Sequence, residues 1–264
     1  MNNMKENMKI AIIGAGNMGG ATARGLIEAK VTEAENITVA DVSEERLREL
    51  KAFNFNIQVT TNNQKAVDSA DIIILAVKPW LMEKVATQLA INLDKQIIVT
   101  IAAGVPFSEY MDWISPSVTI FRLVPNTAIT ELESMTLIAS LNASKEQEQL
   151  ILGIFNKMGL AMLIPEKLIP ATTALTSCGI AYALKYIQAA MQAGVEMGIP
   201  PKDAMKMVAQ SIKGAAEIIL NNDTHPAVEI DKVTTPGGYS IKGINELEHA
   251  GFTSAIIKAI KVSS

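Results

Sequence analysis

The residues with the clearest chemical reading are Gly14, Ala15, Gly16, Asn17, Met18 and Gly19. They follow the apolar run KIAII and open a segment of helical pattern, the setting in which a G-x-G-x-x-G spacing cradles a dinucleotide. The first glycine permits a tight turn, the second lets backbone approach a pyrophosphate, and the third allows close helix–strand packing. The helix N-terminus offers free N–H groups and the positive end of its dipole to the phosphates. Asp41 ends the second apolar run, where an acidic side chain accepts hydrogen bonds from the adenosine ribose and repels a 2′-phosphate. Taken alone it favours NADH. Arg46, one turn into the next helix, is a counterweight for a 2′-phosphate or simply part of the solvated face that holds Glu44, Glu45, Arg48 and Glu49.

Ligands on open α/β sheets sit beyond the carboxyl ends of the strands. By that rule the backbone of Ala76, Val77, Lys78 and Pro79 faces the cofactor, and Ile101, Ala102 and Ala103, followed by Gly104, leave room for a nicotinamide ring. Late in the chain, Thr234-Thr235-Pro236-Gly237-Gly238 makes a turn into a helix that contains Tyr239 and Ser240. The N–H groups of that turn, the Ser240 hydroxyl and the helix dipole suit a substrate carboxylate.

These groups need a frame, and the hydrophobic pattern predicts one. Eight short apolar runs (KIAIIG, ITVA, IQVT, DIIILAV, QIIVTIA, SVTIFRLV, MTLIAS and LAMLIP) alternate with turns or helix-sized segments. Runs buried on both faces predict a doubly wound parallel sheet of Rossmann type. Ser144 is placed to cap a helix reaching about Met158. From Pro170 the strand signal stops, and long helices are predicted over 174–198 and over 201–222, the second opened by Pro201 with Asp203 in its first turn. The expected organisation is a disordered leader over 1–8, a dinucleotide-binding domain over 9–165 and an all-helical domain over 166–264. Ala189, Ala190, Ala193 and Gly194 give the first long helix a small-residue seam, and so short a helical unit has little core of its own, so a homo-oligomer formed through it is expected.

Composition narrows the function class. The chain has 264 residues, 49% hydrophobic and 19% charged, with a net charge of −4, which provides a sizeable core but no basic field for nucleic acid or an anionic membrane. The single cysteine, Cys178, forms no internal disulfide and fits a reducing cytoplasm, and no His/Cys cluster is spaced for a metal. No apolar run is long enough to span a bilayer. Cys178 has no sequence-local base and reads as a packing residue, while His225 and His249 read as surface or capping residues.

The series GAGNMGGA, AVKP, AAGV, RLVPNTA, ALTSCGIAYA and VTTPGGYSIKGINELEHAGF resembles the motifs of pyrroline-5-carboxylate reductases, in the same order and across nearly the whole chain. The last segment is the most specific. The resemblance implies a Rossmann domain, a helical dimerisation domain, and NADPH-dependent reduction of 1-pyrroline-5-carboxylate to L-proline, with NADH as a further donor. It also assigns residues. Ser240 stands where the family has a threonine close to the substrate, Asn126 matches an asparagine beside the active site, and Asn63 matches one on the adenosine side of the cofactor. Lys232, Val233 and Glu166 stand at substrate-side positions. The chain departs from the family at Ser177-Cys178-Gly179-Ile180, Ala128, Pro170 and Tyr239, all bearing on substrate and rate rather than on fold. A cyclic imine is readily protonated and then needs only a hydride, so the reaction calls for orientation more than for a dedicated acid. Two alternatives remain: a dinucleotide-binding paralogue with a sensor or regulatory role, and a β-hydroxyacid-type dehydrogenase, for which Lys185 is the available lysine, without the expected glycine-rich pattern.

Overall fold

The computed structural model describes residues 7–264. In chain order the elements are β1 (Ile10–Ile13), α1 (Asn17–Glu28), β2 (Ile37–Ala40), α2 (Glu44–Phe53), β3 (Gln58–Thr60), α3 (Asn63–Val67), β4 (Ile72–Leu75), α4 (Met82–Gln88), β5 (Ile97–Thr100), α5 (Phe107–Trp113), β6 (Ile120–Val124), β7 (Ser134–Leu141), α6 (Lys145–Phe155), β8 (Gly159–Leu163), α7 (Ile169–Glu196), α8 (Pro201–Asn222), α9 (Pro226–Val233), α10 (Tyr239–His249) and α11 (Phe252–Val262). All eight expected strands are present. They form one sheet in the order β3-β2-β1-β4-β5-β6-β7-β8. β1 pairs in parallel with both β2 and β4, so the topological switch lies at the carboxyl end of β1, where the glycine turn begins.

Alternation along the strands splits the core between the two faces of the sheet. Ile10 and Ile12 point to one side with Leu26, Leu47, Leu50, Ile151 and Phe155, and Ala11 and Ile13 to the other with Met82, Phe107, Tyr110 and Ile120. Helix starts follow capping chemistry. Ser43 accepts from the N–H of Arg46, Asn62 from that of Lys65, and Ser144 forms a capping box with Gln147.

Two expectations need correcting. The sheet is not wholly parallel, because β7 runs antiparallel to β6 and β8 follows β7. The connection 125–133 is too short for the crossover of roughly a dozen residues that a parallel return requires. The expected leader, 1–8, lies mostly outside the described residues, but Met8 is buried at 3% exposure and its carbonyl accepts from the Thr32 hydroxyl at 2.9 Å. Its apolar side chain extends the β1 layer of the core. The chain divides into two compact units at 177/178, and Ile169 at the start of α7 is buried in the core that contains Phe107 and Tyr110.

The second unit, Cys178–Ser264, holds most of α7 and all of α8–α11. α8 spans the range predicted for it. Among the described residues of this unit only Gly194 and Ala204 are buried, and a Cβ on Gly194 would sit 3.1 Å from that of Ala204. Large apolar side chains including Leu184, Met207, Leu220, Val233 and Ile257 are exposed. No helix among the described residues is long and apolar enough to cross a membrane.

Candidate functional site

The glycine turn is built for a ligand by what it lacks. Gly14 has φ 107°, and a Cβ there would meet the Ala76 carbonyl oxygen at 2.8 Å, so the turn closes directly onto the backbone after β4. A Cβ at Gly19 would fall 2.0 Å from the Gly14 carbonyl oxygen, which makes a side chain there incompatible with the turn. Around Gly16 there is nothing within 4 Å of the same point. α1 begins at Gly16 with no side-chain cap and no acidic residue in its first turn. Its first N–H groups have no intrahelical acceptor, and the space beside them is open. A pyrophosphate fits this arrangement: an anion meets unshielded donors and the positive end of a helix dipole. Ala15 is buried, Asn17 exposed and Met18 half-buried.

Asp41 lies immediately beyond β2 and is 8% exposed. Its Oδ2 accepts the N–H of Ala15 at 2.6 Å and its Oδ1 the N–H of Ser43 at 2.8 Å, so the carboxylate ties the glycine turn to the start of α2. Arg46 stands 3.8 Å from Oδ2 with its side chain half exposed. Asn63 is the first residue of α3, half-buried, while its neighbour Asn62 does the capping.

After β4, Ala76 and Val77 abut Gly14, and Lys78 leaves the sheet with its ammonium 5.9 Å from the centre of the Trp80 ring. After β5, Ile101 donates its N–H to Leu75 at 3.0 Å and Ala102 donates to the Thr100 hydroxyl at 3.3 Å, while Ala103 and Gly104 are exposed. The fold thus brings the 14–19, 41, 76–79 and 101–103 segments to the carboxyl edge of one sheet.

Beneath the 101–104 loop lies a polar group that sequence reasoning missed. The Thr100 hydroxyl and the Tyr110 phenol are 2.6 Å apart and buried, and burial pushes the phenol up to about 12 against the pull of that hydrogen bond. Arg122 sits opposite Thr100 across the β5–β6 pair and donates to Glu166 Oε1 at 3.0 Å. The same Oε1 accepts the N–H of Phe107 at 2.8 Å, at the start of α5. An arginine inside the apolar run IFRLV signals a partner, because a buried guanidinium is rarely left unpaired. Nothing in the sequence says which one. Asn126, buried beyond β6, accepts the N–H of Ala128 on its Oδ1 and donates its own N–H to Ser134. Ser177, one of the departures, donates to the Pro125 carbonyl at 3.3 Å.

In the helical unit, Gly237 has φ 73° and Gly238 donates its N–H to Thr235 O at 2.9 Å, forming the expected turn. A Cβ on Gly238 would meet the Thr235 hydroxyl at 2.7 Å. α10 then starts with no side-chain cap and no acid in its first turn, as α1 does. Tyr239 is 93% exposed and Ser240 is exposed beside it. Lys232 pairs with Glu229 at 2.7 Å, and this ammonium, with the Thr224 hydroxyl, holds the Glu229 carboxyl below its ordinary value. Val233 ends α9, exposed. Lys185 donates to Gln188 and is exposed.

Residues 166–264 match the family described as pyrroline-5-carboxylate reductase dimerisation, and residues 9–104 match that described as NADP oxidoreductase, coenzyme F420-dependent. A pyrroline-5-carboxylate reductase of Methanosarcina acetivorans is 38% identical over 257 residues, covering 97% of this chain and 95% of that protein. Pyrroline-5-carboxylate reductase 1 of Dictyostelium discoideum is 36% identical over 97% of this chain, which spans only 48% of that longer protein. The crystal structure of the Plasmodium falciparum pyrroline carboxylate reductase with NADP bound superposes with a TM-score of 0.87 at 26% identity, covering 98% of this chain and 96% of that one. Near full-length identity above 30% joins with the motif order and the glycine turn to one conclusion: the chain belongs to the pyrroline-5-carboxylate reductase family.

Proposed function

We propose that this chain reduces 1-pyrroline-5-carboxylate to L-proline with NADPH, in the cytoplasm, as a homo-oligomer assembled through α7–α11. The observation that carries the reading is the turn from Gly14 to Gly19, closed against Ala76 by two glycines that tolerate no Cβ and open at Gly16 before an uncapped helix. When bound, the nicotinamide supplies the hydride, two electrons for one C=N bond. The protein's part is to bind and orient. The N–H groups at the start of α1 hold the pyrophosphate, with Asp41 and Asn63 on the adenosine side. Residues 76–79 and 101–103 bound the nicotinamide side.

The Gly237–Gly238 turn, the N-terminus of α10 and the Ser240 hydroxyl hold the substrate carboxylate, a role supported by the missing cap and the absence of an acid there. Tyr239 and Val233, both exposed, shape that site, and Lys232, already paired with Glu229, adds a neutralised rather than a free cation. Asn126 acts beside the imine from a rigid cap. Glu166 serves the substrate side by position, through Phe107 and Arg122. The exposed apolar faces of α7–α11 support assembly from identical copies, and the match of 166–264 to a dimerisation family supports a dimer as its unit.

The test follows absorbance of the reduced nicotinamide when the purified protein meets 1-pyrroline-5-carboxylate, with proline measured as product. Oxidation with stoichiometric proline is expected, and Ser240→Ala should lower kcat/KM about 10- to 100-fold, the worth of one hydrogen bond to a charged group. Dinucleotide binding without consumption would instead indicate the regulatory paralogue.

A further inference from the structure

The loop that follows β5 is held from below by two hydroxyls. Its first two N–H groups have acceptors: Ile101 donates to the Leu75 carbonyl at 3.0 Å and Ala102 to Thr100 Oγ1 at 3.3 Å. The next backbone N–H to donate among the described residues is that of Phe107, at the start of α5. Between them Ala103 and Gly104 form an exposed turn, Gly104 with φ 79°, while Ala102 and Val105 on either side are buried in the core. The height of this turn over the sheet therefore depends on what stands beneath Ala102. That is the Thr100 hydroxyl, 2.6 Å from the Tyr110 phenol, with both residues 0% exposed. Phenylalanine would fill the same space on the apolar face of α5, which also carries Phe107, without taking a hydroxyl out of water. The phenol is itself fixed in place, because α5 is tied at Phe107 to Glu166 Oε1 and Trp113 meets the Tyr110 ring edge-on at 5.5 Å.

We propose that Thr100 and Tyr110 are positioning residues for hydride transfer. The phenol fixes the Thr100 hydroxyl, the hydroxyl fixes the Ala102 N–H, and the 101–103 backbone is thereby held at the height that presents the nicotinamide to the imine carbon. Both act through the backbone, since each is fully buried and offers its hydroxyl to the other rather than to a bound ligand. Reacting geometry tolerates little error, a misplacement of about an ångström being worth up to about a hundredfold in rate, so one hydrogen bond under the loop is enough for a measurable effect. The proposal rests on the reading of residues 101–103 as the nicotinamide side and adds to it a buried pair behind that loop.

Transient kinetics and equilibrium binding test it together. Hydride transfer is followed in a single turnover by loss of the reduced-nicotinamide absorbance. NADPH and 2′,5′-ADP, which shares the adenosine half and lacks the nicotinamide, are titrated by calorimetry. Tyr110→Phe should slow hydride transfer about tenfold, with KM for 1-pyrroline-5-carboxylate and binding of 2′,5′-ADP unchanged within about twofold. Thr100→Val should slow it at least as much, while Thr100→Ser, which keeps the hydroxyl, should stay near the unmodified rate. Thr100→Val combined with Tyr110→Phe should be no slower than Thr100→Val alone, the non-additivity of groups that act in series. Tyr110→Phe and Thr100→Ser preserve the packed shape and decide the matter even if Thr100→Val does not fold. A Tyr110→Phe rate within about twofold of the unmodified protein, or a loss of 2′,5′-ADP binding equal to that of NADPH, overturns the proposal and leaves the reductase reading intact. An unmodified protein that binds both ligands and transfers no hydride overturns the reductase reading, and the proposal with it.

Discussion

The two units of the chain solve the problem of stability in opposite ways. The sheet unit buries side chains on both faces of eight strands, and pairs polar groups in its interior, Thr100 with Tyr110 and Arg122 with Glu166. The helical unit buries only Gly194 and Ala204 and leaves residues such as Leu184, Met207, Leu220 and Ile257 in solvent. One large buried aliphatic side chain contributes about 1.5–3 kcal/mol, so a helical unit of this length with no such side chain cannot stand alone. The difference teaches that one part of this chain is a finished domain, while the other buries too little by itself, in keeping with its match to a dimerisation family.

The comparison breaks most directly in the helical unit. Leu184→Arg in α7, or Leu220→Arg in α8, should convert the assembly to monomer in sedimentation and cost several kcal/mol, the range for placing a charge in a core. Both tryptophans, Trp80 and Trp113, lie in the sheet unit, so tryptophan fluorescence follows that unit alone, while helical circular dichroism reports both units with the larger share from α7–α11. The far-ultraviolet melt should depend on protein concentration and the tryptophan melt much less. Unchanged assembly in both variants would mean that these faces are not the shared core.

A second perturbation probes the paired interior of the sheet unit. Glu166→Ala removes the acceptor of both Arg122 and the Phe107 N–H, and leaves a guanidinium whose Nε already lacks a partner among the described residues. The expected loss is about 2–3 kcal/mol, below the full cost for a buried pair because the Glu166 side chain is a third exposed. Arg122→Met should cost less, since it leaves Glu166 able to reach water. Urea midpoints by tryptophan fluorescence measure the two, and a reversed order would mean that the pair is not what holds α5 to this end of the sheet.

Much of this architecture was legible in the residues themselves. The eight strands followed from their apolar runs and α8 from Pro201, because burial and capping are local and strong. The glycine turn was legible for the same reason: each glycine answers a separate steric demand. The direction of β7 was not, since an apolar run carries no polarity and only the shortness of 125–133 decides it. Met8 read as leader because one apolar residue makes no period, yet it belongs to the core. The partners of Arg122 were hidden by distance along the chain, Glu166 being 44 residues away. Asp41 read only as a ribose acceptor, although its carboxylate also ties Ala15, 26 residues earlier, to Ser43.

The gentlest perturbation sharpens the comparison at the 101–104 loop. Tyr110→Phe keeps the ring that meets Trp113 edge-on at 5.5 Å and removes only the hydroxyl shared with Thr100. At neutral pH the cost should be about 1 kcal/mol, the net worth of one hydrogen bond, with the Thr100 oxygen still accepting the Ala102 N–H. The pH dependence then separates this phenol from the rest. Burial raises it from 10.0 to about 12, so the folded protein holds the proton more tightly than the unfolded chain does. That contribution is fully present below pH 10, falls as the pH rises, and is gone above about 12. Tryptophan melts across this window should show the unmodified protein losing up to about 2–3 kcal/mol that Tyr110→Phe has no means to lose, so the two curves converge and then cross on the alkaline side. Parallel curves would mean that the phenol ionises as freely in the folded state as in the unfolded one, and that the floor of the 101–104 loop is wetter than a 0% exposed tyrosine implies.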